Sequence, residues 1–153
     1  MDGVQLRAII NSKTRASPEA KQRAGQAYAK MLGLTPGPGG ADGLVDGYGW
    51  VADRFVYFQC KLSQHPLGAE FADNFYAGLK KSEAQIGIML AGVGYIDRKN
   101  SGFLARLKSY PEIQQGQFIY HLLSLEDIYT RSDKFQLASQ DLPQLHIISD
   151  VAP

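Results

Sequence analysis

A chain of 153 residues, 44% hydrophobic and 20% charged, has room for one domain with a sizeable core and the balance of a globular protein rather than a disordered or fibrous one. Its single cysteine, Cys60, excludes an internal disulfide framework; no Cys/His grouping has zinc-ligand spacing, and no apolar run nears the roughly 20 residues that cross a bilayer. The start MDGVQLRAII lacks the order of a signal peptide, so a cytoplasmic protein without a membrane partner is expected. The net charge of +1 is distributed unevenly: residues 1–30 carry six basic and two acidic side chains, a local +4 against −3 for the remainder. Later basic pairs at Lys80 and Lys81, Arg98 and Lys99, and Arg106 and Lys108 read singly as solvated surface charge.

In chain order, Ser17 is a suitable N-cap, Pro18 stands at the first helical position and Gly33 follows the last turn, which predicts a helix over about 18–32. TPGPGGADG is a turn-rich loop; it precedes a strand and lacks the glycine spacings of phosphate-binding loops, which feed a helix N-terminus. LVDGY predicts a short strand, GYGWVAD the connection after it, and RFVYFQCKL a longer strand dense in aromatic and β-branched residues. Phe71, Phe75 and Leu79, four apart in PLGAEFADNFYAGLKK, predict a helix on an apolar surface, and QIGIMLAGVGY a strand buried on both faces. GFLARLKSY predicts a helix capped by Asn100 or Ser101 and ended before Pro111; GQFIYHLLS predicts a strand, and SLEDIYT a short helix opened by a capping box. From about Ser132 the patterns are weak. Helices interleaved with strands make an α/β sandwich with a mixed sheet, one domain over 1–153 with its core over about 18–130.

The strand RFVYFQCKL poses the functional question, because Gln59 and Lys61 interrupt an apolar run. Alternation puts Phe55, Tyr57, Gln59 and Lys61 on one face and Val56, Phe58, Cys60 and Leu62 on the other. The polar pair is expected to emerge at the strand's C-terminal end, at the rim of the sheet. A hairpin returning LVDGY beside it brings Asp46 level with the pair. Such a trio suits a divalent metal held against a phosphodiester: Asp46 supplies anionic oxygen, carbonyls near Gln59 and Cys60 supply neutral oxygen, and Lys61 orients or deprotonates a water and offsets phosphate charge. Asp42 reads as a turn aspartate, Cys60 as a buried structural thiol, and His65, His121 and His146 are scattered without a shared task. Gly25 and Ala29 share a helical side with Gln22, for close packing or close approach of a DNA backbone. Tyr48 and Trp50 fall in the hairpin turn, either against a nucleic-acid partner or closing a small core.

GGADGLVDGYG, followed after a hairpin-length gap by VYFQCKLSQ, resembles the Mrr-like restriction endonucleases of the PD-(D/E)xK nuclease superfamily, whose pattern couples a D-G-G-[IV]-D-G turn and strand to a Q-x-K or E-x-K strand. The resemblance spans roughly residues 18–93, with Leu44 standing where members often have a second glycine. It implies a restriction-endonuclease-like α/β/α sandwich. Asp46 falls on the metal-ligating aspartate, Gln59 and Lys61 on the Q-x-K pair, and Gln22 on the glutamate or glutamine of the preceding helix, with Gln26 one turn on as the alternative. The implied activity is Mg²⁺-dependent hydrolysis of double-stranded DNA, of restriction or homing type, with Mn²⁺ as a substitute metal and the basic N-terminal region and Arg98 and Lys99 as phosphate contacts. Cleavage of both strands implies a homodimer or larger assembly. The alternatives are a DNA-binding module without cleavage and the cleavage domain of a larger restriction-modification protein.

Overall fold

Two capped helices open the chain in the computed structural model, which describes residues 1–37 and 45–143; Asp42, Leu44, His146 and the closing HIISDVAP lie outside the described residues. Helix α1 (Gly3–Thr14) is not anticipated from the sequence. Its N-cap Asp2 accepts from the Gln5 N–H at 2.8 Å while the Gln5 side chain accepts from the Asp2 N–H at 3.3 Å, a reciprocal capping box. Helix α2 (Pro18–Met31) forms as its caps predict: the Ser17 hydroxyl accepts from the Ala20 N–H at 3.1 Å, and Gly33 at φ 79° follows the last turn.

A two-residue strand β1 (Thr35–Pro36) then pairs with β2 (Gly47–Val51), which forms a hairpin with β3 (Arg54–Lys61). The expected strand LVDGY is thus displaced: pairing begins at Gly47 and runs through Val51↔Arg54, so GYGWV is strand and the turn is only Ala52 and Asp53, with Ala52 at φ 55°. The displacement has a packing cause. Gly47 and Gly49 face α2 and the segment after it, where a Cβ on Gly47 would lie 2.7 Å from the Ala29 Cβ and one on Gly49 3.0 Å from a Leu34 methyl. Glycines that sequence patterns assign to a turn here let a helix approach a strand.

Helix α3 (Ala69–Ser82) leads to β4 (Ile86–Ala91), all six residues of which are buried, as expected of a central strand. The short strands β5 (Asp97–Arg98) and β6 (Ser101–Gly102) form a separate ribbon before α4 (Phe103–Lys108) and α5 (Pro111–Gln114). The N-cap of α4 is Gly102, not Asn100 or Ser101: its φ of 103° suits glycine, and a Cβ would meet the Ile96 carbonyl oxygen at 2.1 Å. Strand β7 (Ile119–Ser124) is followed directly by α6 (Leu125–Thr130), opened by the expected capping box between Ser124 and Asp127, and by α7 (Asp133–Ser139).

The main sheet has the order β1-β2-β3-β4-β7, antiparallel from β1 to β3 and parallel from β3 to β7. Its faces follow the alternation of β3. Val56 and Phe58 join Tyr28, Leu32, Ile88, Leu123 and Phe135 in a core beneath α2, α6 and α7; Tyr57 joins Phe75, Leu79, Met89, Phe103 and Leu107 beneath α3 and α4. Helices therefore cover both faces of a mixed sheet, an α/β fold. Among the described residues no helix is long and apolar enough to cross a membrane.

Candidate functional site

The ladder between β2 and β3 ends at Gly47↔Phe58, while β3 runs on to Lys61. Asp46 spans the step: its N–H donates to the Phe58 carbonyl at 2.9 Å, and its Oδ2 accepts from the Cys60 N–H at 2.7 Å. The carboxylate takes the place of a backbone partner as β2 diverges. N–H and C=O of one strand residue point the same way, so the Cys60 carbonyl is directed to this side as well, whereas the Lys61 carbonyl accepts from Gly92 on the β4 side at 3.1 Å.

A cleft of about 360 Å³ opens here, lined by Pro18, Lys21, Gln22 and Gly25 from α2 and by Asp46, Cys60, Lys61 and Leu62. Of the residues expected from the sequence, Asp46, Lys61, Gln22 and Cys60 meet in it; Gln26 is not among its lining residues. Lys21, noticed in the sequence only as part of a basic N-terminal region, adds a second cation. The signal for it was its place one residue before Gln22, at the start of a helix whose N-terminal end abuts the sheet rim.

Gln59 departs from expectation. It is 8% exposed and absent from the cleft lining; its Oε1 accepts from the Tyr57 hydroxyl at 2.9 Å. The strand's polar pair is therefore divided, with Gln59 inside the sheet's edge and Lys61 exposed at its end. The Lys61 ammonium lies 5.7 Å from the ring centroid of Phe71 on α3, a cation–π contact that restrains a long side chain.

Burial raises the Asp46 carboxyl from 3.8 to about 6, against the lowering effects of the Cys60 N–H and the nearby Lys61 charge. Burial and the Asp46 charge push the Cys60 thiol well up, which suits an unreactive packing residue. Gly25 lies against it, an added Cβ falling 3.6 Å from the Cys60 Cβ, and Ala29 lies against Gly47, so both small residues of α2 serve helix–sheet packing. Tyr48 and Trp50, expected in a turn, are on β2, 38% and 63% exposed, with ring centroids 6.1 and 5.1 Å from that of Phe55. His121 is engaged with Asp141, Nε2 to Oδ2 at 2.8 Å.

Among the described residues no group of three or more His, Cys, Asp or Glu is placed to hold a metal ion. The donors present are one desolvated carboxylate and a backbone carbonyl, both hard oxygens. They fit Mg²⁺, which keeps several waters and takes one or two carboxylates plus substrate phosphate, and they do not fit a site that must enclose its ion with protein ligands alone. Comparison of the chain with protein-family models, curated proteins and solved structures gives no match.

Proposed function

We propose that this cleft binds a phosphodiester of double-stranded DNA and hydrolyses it with a divalent metal, as the resemblance to Mrr-like nucleases implies. The observation that carries the proposal is the side chain of Asp46, pinned at 2.7 Å to the Cys60 N–H inside a cleft shared with Lys21 and Lys61. Lys21 and Lys61 supply positive charge for a phosphate, and Asp46 with the Cys60 carbonyl supplies the oxygen donors for Mg²⁺. When bound, the ion would contribute Lewis-acid stabilisation of charge on the phosphate. Lys61 holds the water that attacks phosphorus; the P–O3′ bond breaks opposite, leaving a 5′ phosphate and a 3′ hydroxyl. Gln22, exposed at the α2 rim of the cleft, is placed to donate to a phosphate oxygen. Cutting both strands requires two such clefts, hence two copies of the chain.

The test is relaxation of supercoiled plasmid in Mg²⁺ against an EDTA control. Wild type is expected to nick, and Lys61→Ala to lose about 10² to 10³ of the rate, the scale for removing one transition-state donor, while keeping most of its DNA affinity. Equal products from both proteins would overturn the proposal and leave the chain as a DNA-binding module.

A further inference from the structure

Strand β7 ends the main sheet on the side away from β2, with β4 between it and β3. The Ile119 N–H donates to the Gln85 carbonyl at 2.8 Å on the β4 side, and alternate residues of a paired strand turn their main-chain groups to the same side. Ile119, His121 and Leu123 therefore face β4, whereas the N–H and C=O of Tyr120 and Leu122 face outward and meet no partner among the described residues. Edge strands are ordinarily blunted by proline, by charged side chains or by a covering element. Strand β7 reads IYHLLS and holds no proline, lysine or carboxylate.

Helices on the two faces of the sheet make this edge the floor of a groove of about 280 Å³. One wall is α4, with Leu104 and Lys108; the other is α7, with Lys134 and Leu137. Each wall thus offers one leucine and one lysine, and Leu137 is 57% exposed. Among the described residues no acidic side chain lines the groove, and neither lysine has an ion pair. Asp141, bonded to His121 on the floor, is already shared with Arg54 at 3.3 Å.

We propose that this groove docks an extended, acidic segment of another protein, added to β7 as a further strand. Donors and acceptors alternate along the open edge, and a peptide strand matches both. A DNA phosphate offers acceptors alone and would leave the Tyr120 and Leu122 carbonyls unpaired. A second copy of the chain would match the main chain but set two lysines against two lysines. Side chains of an added strand point alternately to the two walls, so apolar residues meet Leu104 and Leu137 while carboxylates meet Lys108 and Lys134. Docking here needs nothing of the chemistry at Asp46.

The probe is a fluorescein-labelled peptide repeating Val-Val-Glu-Glu, which puts both residue types on each face of a strand. In fluorescence anisotropy, wild type is expected to bind it about tenfold or more tightly than the Val-Val-Lys-Lys counterpart, and Lys108→Glu combined with Lys134→Glu to reverse that preference. Absence of binding, or equal affinity for the two peptides, would overturn the proposal. Methylating the main-chain nitrogens of the acidic peptide is expected to abolish binding; undiminished affinity would mean contact by charge alone, without strand addition, and would overturn it too. Displacement of the peptide by a DNA duplex would assign the lysines to phosphate, and a wild-type dimer that the peptide splits in sedimentation would make a second copy the occupant. Either result refutes docking of an acidic strand.

Discussion

Replacing Asp46 with asparagine should stabilise the metal-free protein while abolishing cleavage. Burial raises the carboxyl from 3.8 to about 6. Between those values the folded chain keeps a proton that the unfolded chain has released, so stability falls as pH rises from about 4 to about 6 and is level above that window. At about 1.4 kcal/mol per decade of proton affinity, the ceiling on what the anion costs the fold at pH 8 is about 3 kcal/mol. The gain is smaller than that ceiling, because the asparagine side chain would accept from the Cys60 N–H as a neutral group, in a weaker bond than the charged carboxylate makes. For a chain of this length each kcal/mol moves the midpoint by about 2–4 °C. Asp46→Asn in EDTA is therefore expected to melt several degrees above wild type at pH 8, with the gap closing toward pH 4. Melting curves across that range provide the check. A variant no more stable than wild type at pH 8, or a gap independent of pH, would mean that the carboxylate is not destabilised by its surroundings and has no special need of a cation.

Lys21→Ala should weaken DNA binding regardless of sequence and lower the slope of log affinity against log salt by about one, the signature of one lost phosphate contact, measurable by fluorescence anisotropy; an unchanged slope would remove Lys21 from the interface. Gly47→Ala places a methyl 2.7 Å from the Ala29 Cβ and 3.2 Å from a Phe58 ring carbon, forcing α2 off the sheet. A loss of about 1–3 kcal/mol is expected on urea unfolding, part of it recovered by adding Ala29→Gly. Independent effects of the two substitutions would refute direct contact between them.

What the sequence made legible is what period and punctuation encode. Helix α2 was bracketed by Ser17, Pro18 and Gly33, and β4 announced itself by apolar residues on both alternations. The alternation of β3 correctly assigned Val56 and Phe58 to one core and Tyr57 to the other. Elements that lack a stripe or carry glycine on the inward face were lost. Helix α1 buries only Ile9 and Thr14, so no apolar period marks it and only the Asp2 and Gln5 pair signals its start. Strand β2 puts glycine inside and aromatics outside, the reverse of the pattern by which a half-buried strand is recognised. At the site, strand alternation placed Gln59 and Lys61 on one face, but it carries no information on depth. Whether a polar residue reaches solvent or turns back to a neighbour two positions earlier depends on the helix above it, here on the missing side chain of Gly78.

The place of Asp46 shows why fold and site coincide at this point of the chain. Strand β3 extends past the last residue of β2 that pairs with it, and the Cys60 N–H beyond that point needs a partner, since buried backbone donors are almost never left unpaired. A backbone partner would have carried the sheet onward and closed the gap between β3 and α2. A side-chain partner satisfies the donor while ending the ladder, and so leaves the cleft open with its oxygen in it. Alanine at this position would remove both the carboxylate and the cap on the ladder, confounding lost chemistry with an orphaned donor worth about 1–3 kcal/mol. Asparagine separates the two, because it keeps the acceptor for Cys60 and removes only the charge.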